Sequence, residues 1–382
     1  MKLNKLKKNS EIFNTNLVYF IIVVLFVCLR ICSSMDVFSF LGSSADLVLT
    51  LVTQVGLMFV LPLFLFSKLN KTKPRATLED FSFKKANYKT VLISIAIGLI
   101  VFILNIAVST FFSYILSLLG YHVSTSSGTA VAPTWGSFFL SLLTVAILPA
   151  ICEEFTHRGL LLSGYKKLGF KKAVILSALM FGLIHLNVNQ FFYATVIGLV
   201  LAVVTLYSRS IVPAIIIHFM NNGINVYLEF AEAKGIFGQN FYSGISSYLS
   251  NGSIFSNVIV IALLLTLLLF LLFILIGWLL KINAQKSLAS YAENATLMAM
   301  REEVLSDIEP QEKKEVEKPL FPPLIFAKNS AKNTLSVKIP YEVLGFYMEP
   351  AIKPTPLDKL FFYATILLGS LITIFTFVWG VI

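Results

Sequence analysis

Long apolar runs alternate with short polar stretches over most of the chain. Apolar segments fall at about 17–34, 46–67, 90–119, 137–163, 172–188, 190–208, 211–230, 254–280 and 360–381. A helix needs about 20 such residues to cross a hydrocarbon layer. Backbone groups in lipid must be satisfied within the protein, and runs this long and continuous do not suit the strands of a barrel. The pattern therefore predicts an all-α fold: a polytopic transmembrane helix bundle of about nine spans. One region breaks it. Residues 283–358 are polar, with the charge-dense run "REEVLSDIEPQEKKEVEKP" followed by a Pro-rich stretch. They are expected to form an insert before the last span, partly disordered or a small appended module. The chain then divides into N-terminal transmembrane helices (1–134), a core (135–230), an external loop with the eighth span (231–282), the insert (283–358) and the last helix (359–382). No tandem repeat stands out.

Composition agrees with a membrane protein and charge orients it. Of 382 residues, 57% are hydrophobic and 13% charged, where a soluble domain carries roughly 25% charged residues. The net charge of +10 does not point to nucleic acid, because no basic domain exists outside the loops. Lys2, Lys5, Lys7 and Lys8 precede the first span, and "KLNKTKPR" and "KKANYK" follow the second. Lys166, Lys167, Lys171 and Lys172 follow the fourth, Arg209 the sixth, and Lys281 and Lys286 the eighth. The alternate loops, 35–45, 120–136 and 231–253, hold one basic residue, Lys234. Basic residues favour cytoplasmic loops, so the amino terminus and the insert are expected inside and the carboxyl terminus outside. The lysine-, asparagine- and isoleucine-rich composition hints at a low-GC bacterium and hence a bacterial plasma membrane. The amino terminus begins like a signal sequence, but Arg30 and Ile31 interrupt the end of its apolar run, as expected of an uncleaved first span. Cys28, Cys32 and Cys152 form neither a disulfide framework nor a CxxC metal motif. Cys152 is expected to be a small buried hydrophobe rather than a nucleophile.

Against this background "ICEEFTHRGL", residues 151–160, is out of place. Each ionisable residue at a bilayer centre costs on the order of 2.5–3.5 kcal/mol, so such residues pair or do chemistry. Glu154 and Arg158, four apart, share a helix face and can pair there. Glu153 is turned about 100° from Glu154 and is free to face a cavity, with His157 four residues on as a possible cap. His185, in "FGLIHLNVNQFF", and His218, in "PAIIIHFMNNGIN", are also within or beside spans; Asn222 follows His218 by four, so the two point the same way. Asn221 and Asn225 are expected only to hold helices together. His122 falls in an external loop. Glu153, His185 and Asn222 each lie about 13 residues, roughly 20 Å of helix, from the basic residue at the end of their span. Equal depth on three helices predicts one convergent site, recessed from the cytoplasmic face.

Three of these motifs, in order on successive spans, carry a resemblance. "EEFTHR" fits EExxxR, "FGLIH" fits FxxxH and "HFMNN" fits HxxxN. Together they resemble the CAAX-protease and bacteriocin-processing (CPBP, or Abi) intramembrane proteases, over roughly residues 135–230. The resemblance implies an intramembrane endopeptidase acting on a peptide or membrane-associated protein, in processing, peptide maturation or bacteriocin immunity. It implies catalytic roles for Glu153 as the base that activates water, His185 on that water, and His218 with Asn222 at the oxyanion. Glu154, Arg158 and Phe181 would support the site. Two mechanisms stay open: a zinc ion held by Glu153, His185 and His218, or a metal-independent glutamate base.

Two other readings compete. A non-catalytic scaffold or immunity protein of the same fold would explain the large insert, which the shared core does not need. A transporter or proton relay would also bury Glu and His, but repeated halves with broken helices are expected there, and none is evident.

Overall fold

The computed structural model describes residues 2–121, 132–306, 325–329, 334–338 and 353–381. Nine principal helices account for most of them: α1 Lys2–Ser34, α2 Ser39–Asn70, α3 Tyr88–Leu118, α4 Trp135–Leu168, α5 Phe170–Leu183, α6 Val188–Ser208, α7 Val212–Lys234, α8 Ile254–Ser306 and α9 Pro356–Val381. Two short helices, Pro74–Asp80 and Phe241–Asn251, follow α2 and α7. Seven of the nine are long and apolar enough to cross a membrane, so this is a multi-pass membrane protein. The other two are α5, which is too short, and α7, which is laced with His, Asn and Glu. All are helical because nothing in lipid competes for their backbone groups.

The closest partnerships are α5 with α6, α3 with α7, and α1 with α9. Without a hydrophobic driving force between helices in lipid, close approach depends on small residues. A Cβ on Gly98 of α3 would lie 2.8 Å from the Met220 Cβ of α7, and one on Gly198 of α6 would lie 3.1 Å from the Ala178 Cα of α5. Two large apolar clusters result, beside a small one of Leu116, Tyr121 and Val188. One joins α1, α2, α4 and α5; the other joins α3, α6, α7 and α8. The outer face of α8 exposes Leu263, Leu267, Phe270 and Phe273, as a lipid-facing helix does.

Two elements differ from the periodicity. The apolar run expected as a helix over 172–188 stops at Leu183. Leu186 takes φ +52, and the Asn187 side chain accepts hydrogen bonds from the Asn189 and Gln190 amides to start α6. This N-cap, the role Asn favours, puts His185 in a tight turn rather than on a helix body. The second difference lies in the 283–358 segment. There α8 continues unbroken to Ser306, and Ile325–Asn329 pairs antiparallel with Thr334–Lys338, the only strands among the described residues. The rest of that segment, and His122, lie outside the described residues.

Candidate active site

A cavity of about 1200 Å³ lies within the bundle, lined by residues of α1 to α7 and of the short helix Phe241–Asn251. Glu153, Phe181, His185, His218 and Asn222 are all on its wall. A smaller cavity of about 430 Å³ shares Glu153 and His185 with it. Glu154 and Arg158 do not reach either cavity; both are fully buried behind it.

Glu154 is the hub of this buried layer. Its Oε2 pairs with Arg158 Nε at 3.1 Å, as the spacing of four predicts. Its Oε1 accepts from His218 Nδ1 at 2.9 Å, a partner on α7 that spacing could not reveal. Arg158 also donates to the Gly198 carbonyl of α6 at 3.3 Å, and its guanidinium lies 4.4 Å from the Phe181 ring centroid. The Phe181 ring meets His157, His185 and His218 edge-on, with centroids 4.9, 5.3 and 5.8 Å away. One phenylalanine thus sets the spacing of three imidazoles and faces the buried cation.

Glu153 is held differently. Gln54 of α2 donates to its Oε1 at 2.9 Å, which leaves Oε2 for the cavity. His157 does not cap the carboxylate, as its spacing suggested. It is fully buried, and its Nδ1 lies 2.8 Å from the Glu153 backbone carbonyl. Its Nε2 lies 3.2 Å from the Tyr19 hydroxyl, which also donates to the Met180 carbonyl at 3.0 Å. A wider turn explains the redirection: the backbone hydrogen bonds of α4 lengthen to i→i+5 over Phe155–Leu162, shifting side chains from their α-helical bearing.

Hydrogen-bond accounting fixes two tautomers. A carbonyl oxygen only accepts, so His185 Nδ1, 2.8 Å from the Phe181 carbonyl, carries the hydrogen. The Nε2 of neutral His185 is then an acceptor. By the same argument His218 donates from Nδ1 to the Glu154 carboxylate and keeps Nε2 for the cavity.

A file of amides lines the α7 wall. Asn105 of α3 donates to Asn221 Oδ1 at 3.0 Å, Asn221 donates to Asn222 Oδ1 at 2.9 Å, and Asn222 donates to the Val145 carbonyl of α4 at 3.0 Å. Asn221 therefore does tie helices together. Asn225 accepts from the Tyr242 hydroxyl at 2.5 Å. Burial, then Glu229 and Glu232, push that phenol up to about 12, so it stays a donor at neutral pH. Each NH₂ has two hydrogens, and Asn222 spends one on Val145, keeping the other. Gln54 and Asn105 were not singled out from sequence, although each is a lone amide in an apolar run.

The direction of the cavity corrects one expectation. Its lining residues on α4 run from Ser141 to Glu153, on α6 from Gln190 to Ile197, and on α7 from His218 to Glu229. All lie toward the helix ends remote from Lys166, Lys172 and Arg209. Below Glu153, toward the lysines, Phe59, Phe66, Phe81 and Phe155 pack ring against ring with buried Leu160, Leu161 and Leu162. The site is thus recessed from the lysine-poor end. Depth counted from one end could not tell which end was plugged.

Among the described residues no three His, Cys, Asp or Glu side chains are gathered closely enough to hold a metal ion. Glu153, His185 and His218 contribute donors to one wall but do not close into a metal site in this geometry. Neither a curated protein nor a solved structure matches the chain. Residues 135–224, which carry Glu153, Glu154, Arg158, Phe181, His185, His218 and Asn222, do match the family model described as type II CAAX prenyl endopeptidase Rce1-like, which is consistent with the resemblance of this core to CPBP intramembrane proteases.

Proposed function

We propose that the chain is an intramembrane endopeptidase that hydrolyses a peptide bond by glutamate-activated water. The observation that carries this reading is the single cavity wall shared by Glu153, His185, His218 and Asn222, beside the family match over the same residues. Water held between Glu153 Oε2 and His185 Nε2 attacks the carbonyl carbon, and its proton passes to Glu153. The carbonyl electron pair moves to oxygen. Asn222 donates its spare hydrogen to that oxyanion, and His218, oriented by its bond to Glu154, faces the same oxygen. The intermediate collapses, the C–N bond breaks, and Glu153 returns the proton to the leaving amine. Glu154 and Arg158 hold these groups from behind the cavity, and Phe181 shapes the wall itself. The hydrolytic steps use no metal, because Glu153, His185 and His218 do not close into a metal site, and metal analysis with cleavage assayed with and without chelator tests this.

The test is Glu153→Gln. Gln54 can still donate to the new amide, so the variant is expected to insert and melt like the wild type while losing peptide cleavage. Undiminished cleavage would end the protease reading. The large insert and the long reach of α8 favour, as second reading, a scaffold or immunity role. That reading predicts a cellular phenotype that survives Glu153→Gln and His185→Ala and disappears on deletion of 283–358.

A further inference from the structure

The basic end of the bundle, remote from the cavity, gathers charge at one place. The turn at 82–84 joins the short helix Pro74–Asp80 to α3, and hydrogen bonds pin it to two other segments. The Ile211 amide donates to the Ser82 carbonyl at 3.0 Å, and the Ser210 hydroxyl donates to the Lys84 carbonyl. The Lys166 ammonium, near the end of α4, donates to the Ser82 hydroxyl at 3.3 Å. Lys84 and Arg209 are thereby brought within electrostatic range of Lys166. Asp80 is the one carboxylate among the described residues in the same range. Neither Asp80, Lys84 nor Lys166 forms an ion pair there, while Glu11 is taken by Lys167 and Glu79 by Arg75. Three cations thus share one nearby carboxylate, and an added anion would relieve their repulsion. Lys84 and Arg209 are exposed and Lys166 is half-buried, so their charged ends can reach a ligand.

We propose that Lys84, Lys166 and Arg209 form a phosphate site that holds the headgroup of an anionic lipid at the basic end of the bundle. The donors suit a phosphate oxyanion. A guanidinium matches two of its oxygens and an ammonium binds it as a point charge. The Ser82 hydroxyl, which accepts from Lys166, keeps its own hydrogen to donate. The surroundings favour a phosphate carried by a lipid over a free one. Phe83 and Tyr88, on either side of Lys84 in the chain, are exposed, and exposed aromatic residues beside cations at the end of a span mark the headgroup layer. Basic pockets between spans take such headgroups. The site stands apart from the protease reading, because it uses none of the cavity residues. Its ligand would tie the end of α4, which carries Glu153, to the start of α7, which carries His218.

Lipid binding tests this directly. Full-length protein in a neutral detergent is titrated with phosphatidylglycerol or phosphatidylcholine of the same chains, and bound lipid is counted by native mass spectrometry. Both probes carry a phosphodiester, but only the first has a net negative charge. Phosphatidylglycerol is expected to be retained about tenfold more, and to raise the melting temperature. Lys84→Gln with Arg209→Gln should abolish both effects. Lys84→Arg with Arg209→Lys, which keeps the charge, should preserve them, and this pair decides the matter if the neutral variant folds poorly. Lys71→Gln with Lys73→Gln removes the same charge from the same end outside the site, and should leave the preference intact. A further arm adds inorganic phosphate. Displacement of phosphatidylglycerol, with the same rise in melting temperature, would assign the site to a free anion and remove the lipid. Equal retention of the two lipids, or an equal loss in both neutral variants, overturns the site and reduces these cations to a diffuse basic collar.

Discussion

At the scale of single residues, the two adjacent glutamates separate cleanly by environment. Glu154 is fully buried between Arg158 and His218, so Glu154→Gln strands a buried guanidinium at a cost of about 3–5 kcal/mol. Thermal unfolding in detergent should fall steeply. Changing Glu154 and Arg158 together to Gln and Met should recover most of that stability, because the unpaired charge is gone. Activity should not return, since His218 loses the carboxylate that orients it. A double variant that melts and cleaves normally would show that Glu154 matters only as a counter-ion for Arg158. Much of this layer was legible in the sequence. A spacing of four gave the Glu154–Arg158 pair, and the rarity of charge in lipid marked Glu153, His185 and His218. The bond from His218 to Glu154 was not legible, because it joins helices 64 positions apart. Nor was Gln54, whose amide in an apolar run looks like any interhelical tie until its partner is known.

At the scale of elements, the site depends on how closely bare helix backbones approach. A Cβ at Gly98 meets the Met220 Cβ at 2.8 Å, and α3 and α7 must separate to make room. Gly98→Ala should therefore cost about 1–3 kcal/mol, as overpacking does, although alanine is the better helix former. Gly56→Ala is the control, since nothing lies within 4 Å of a Cβ there, and it should be neutral or slightly stabilising. Thermal unfolding of both variants decides the point; equal melting would mean that the α3–α7 contact is loose. Activity of Gly98→Ala should fall further than stability explains, because the Asn105–Asn221 bond spans the same contact. Periodicity located the helices well because lipid removes every competing structure. It failed at 184–187, where an apolar run hides the turn that Asn187 caps, and at Phe155–Leu162, where wider turns send His157 to Tyr19.

At the scale of the whole molecule, the lysines and the cavity occupy opposite ends of the bundle. If basic loops face the cytoplasm, substrate reaches Glu153 from the outer face, and the aromatic plug around Phe155 closes the inner one. Single cysteines report this directly. Cys28 and Cys32 are removed first, because both are at least partly accessible, and buried Cys152 can stay. Ser246→Cys and Ser141→Cys then sit on the cavity wall, and Lys71→Cys sits at the basic end. In intact cells a membrane-impermeant maleimide should label the first two and leave the third untouched until the membrane is opened. Excess substrate peptide should slow labelling at Ser141→Cys more than at a loop position outside the cavity. If the lysine end labels first instead, the protein is inverted and the cavity faces the cytoplasm. If cavity and lysine positions label from the same side, the plug is open, and the water that Glu153 is proposed to activate would come from either face.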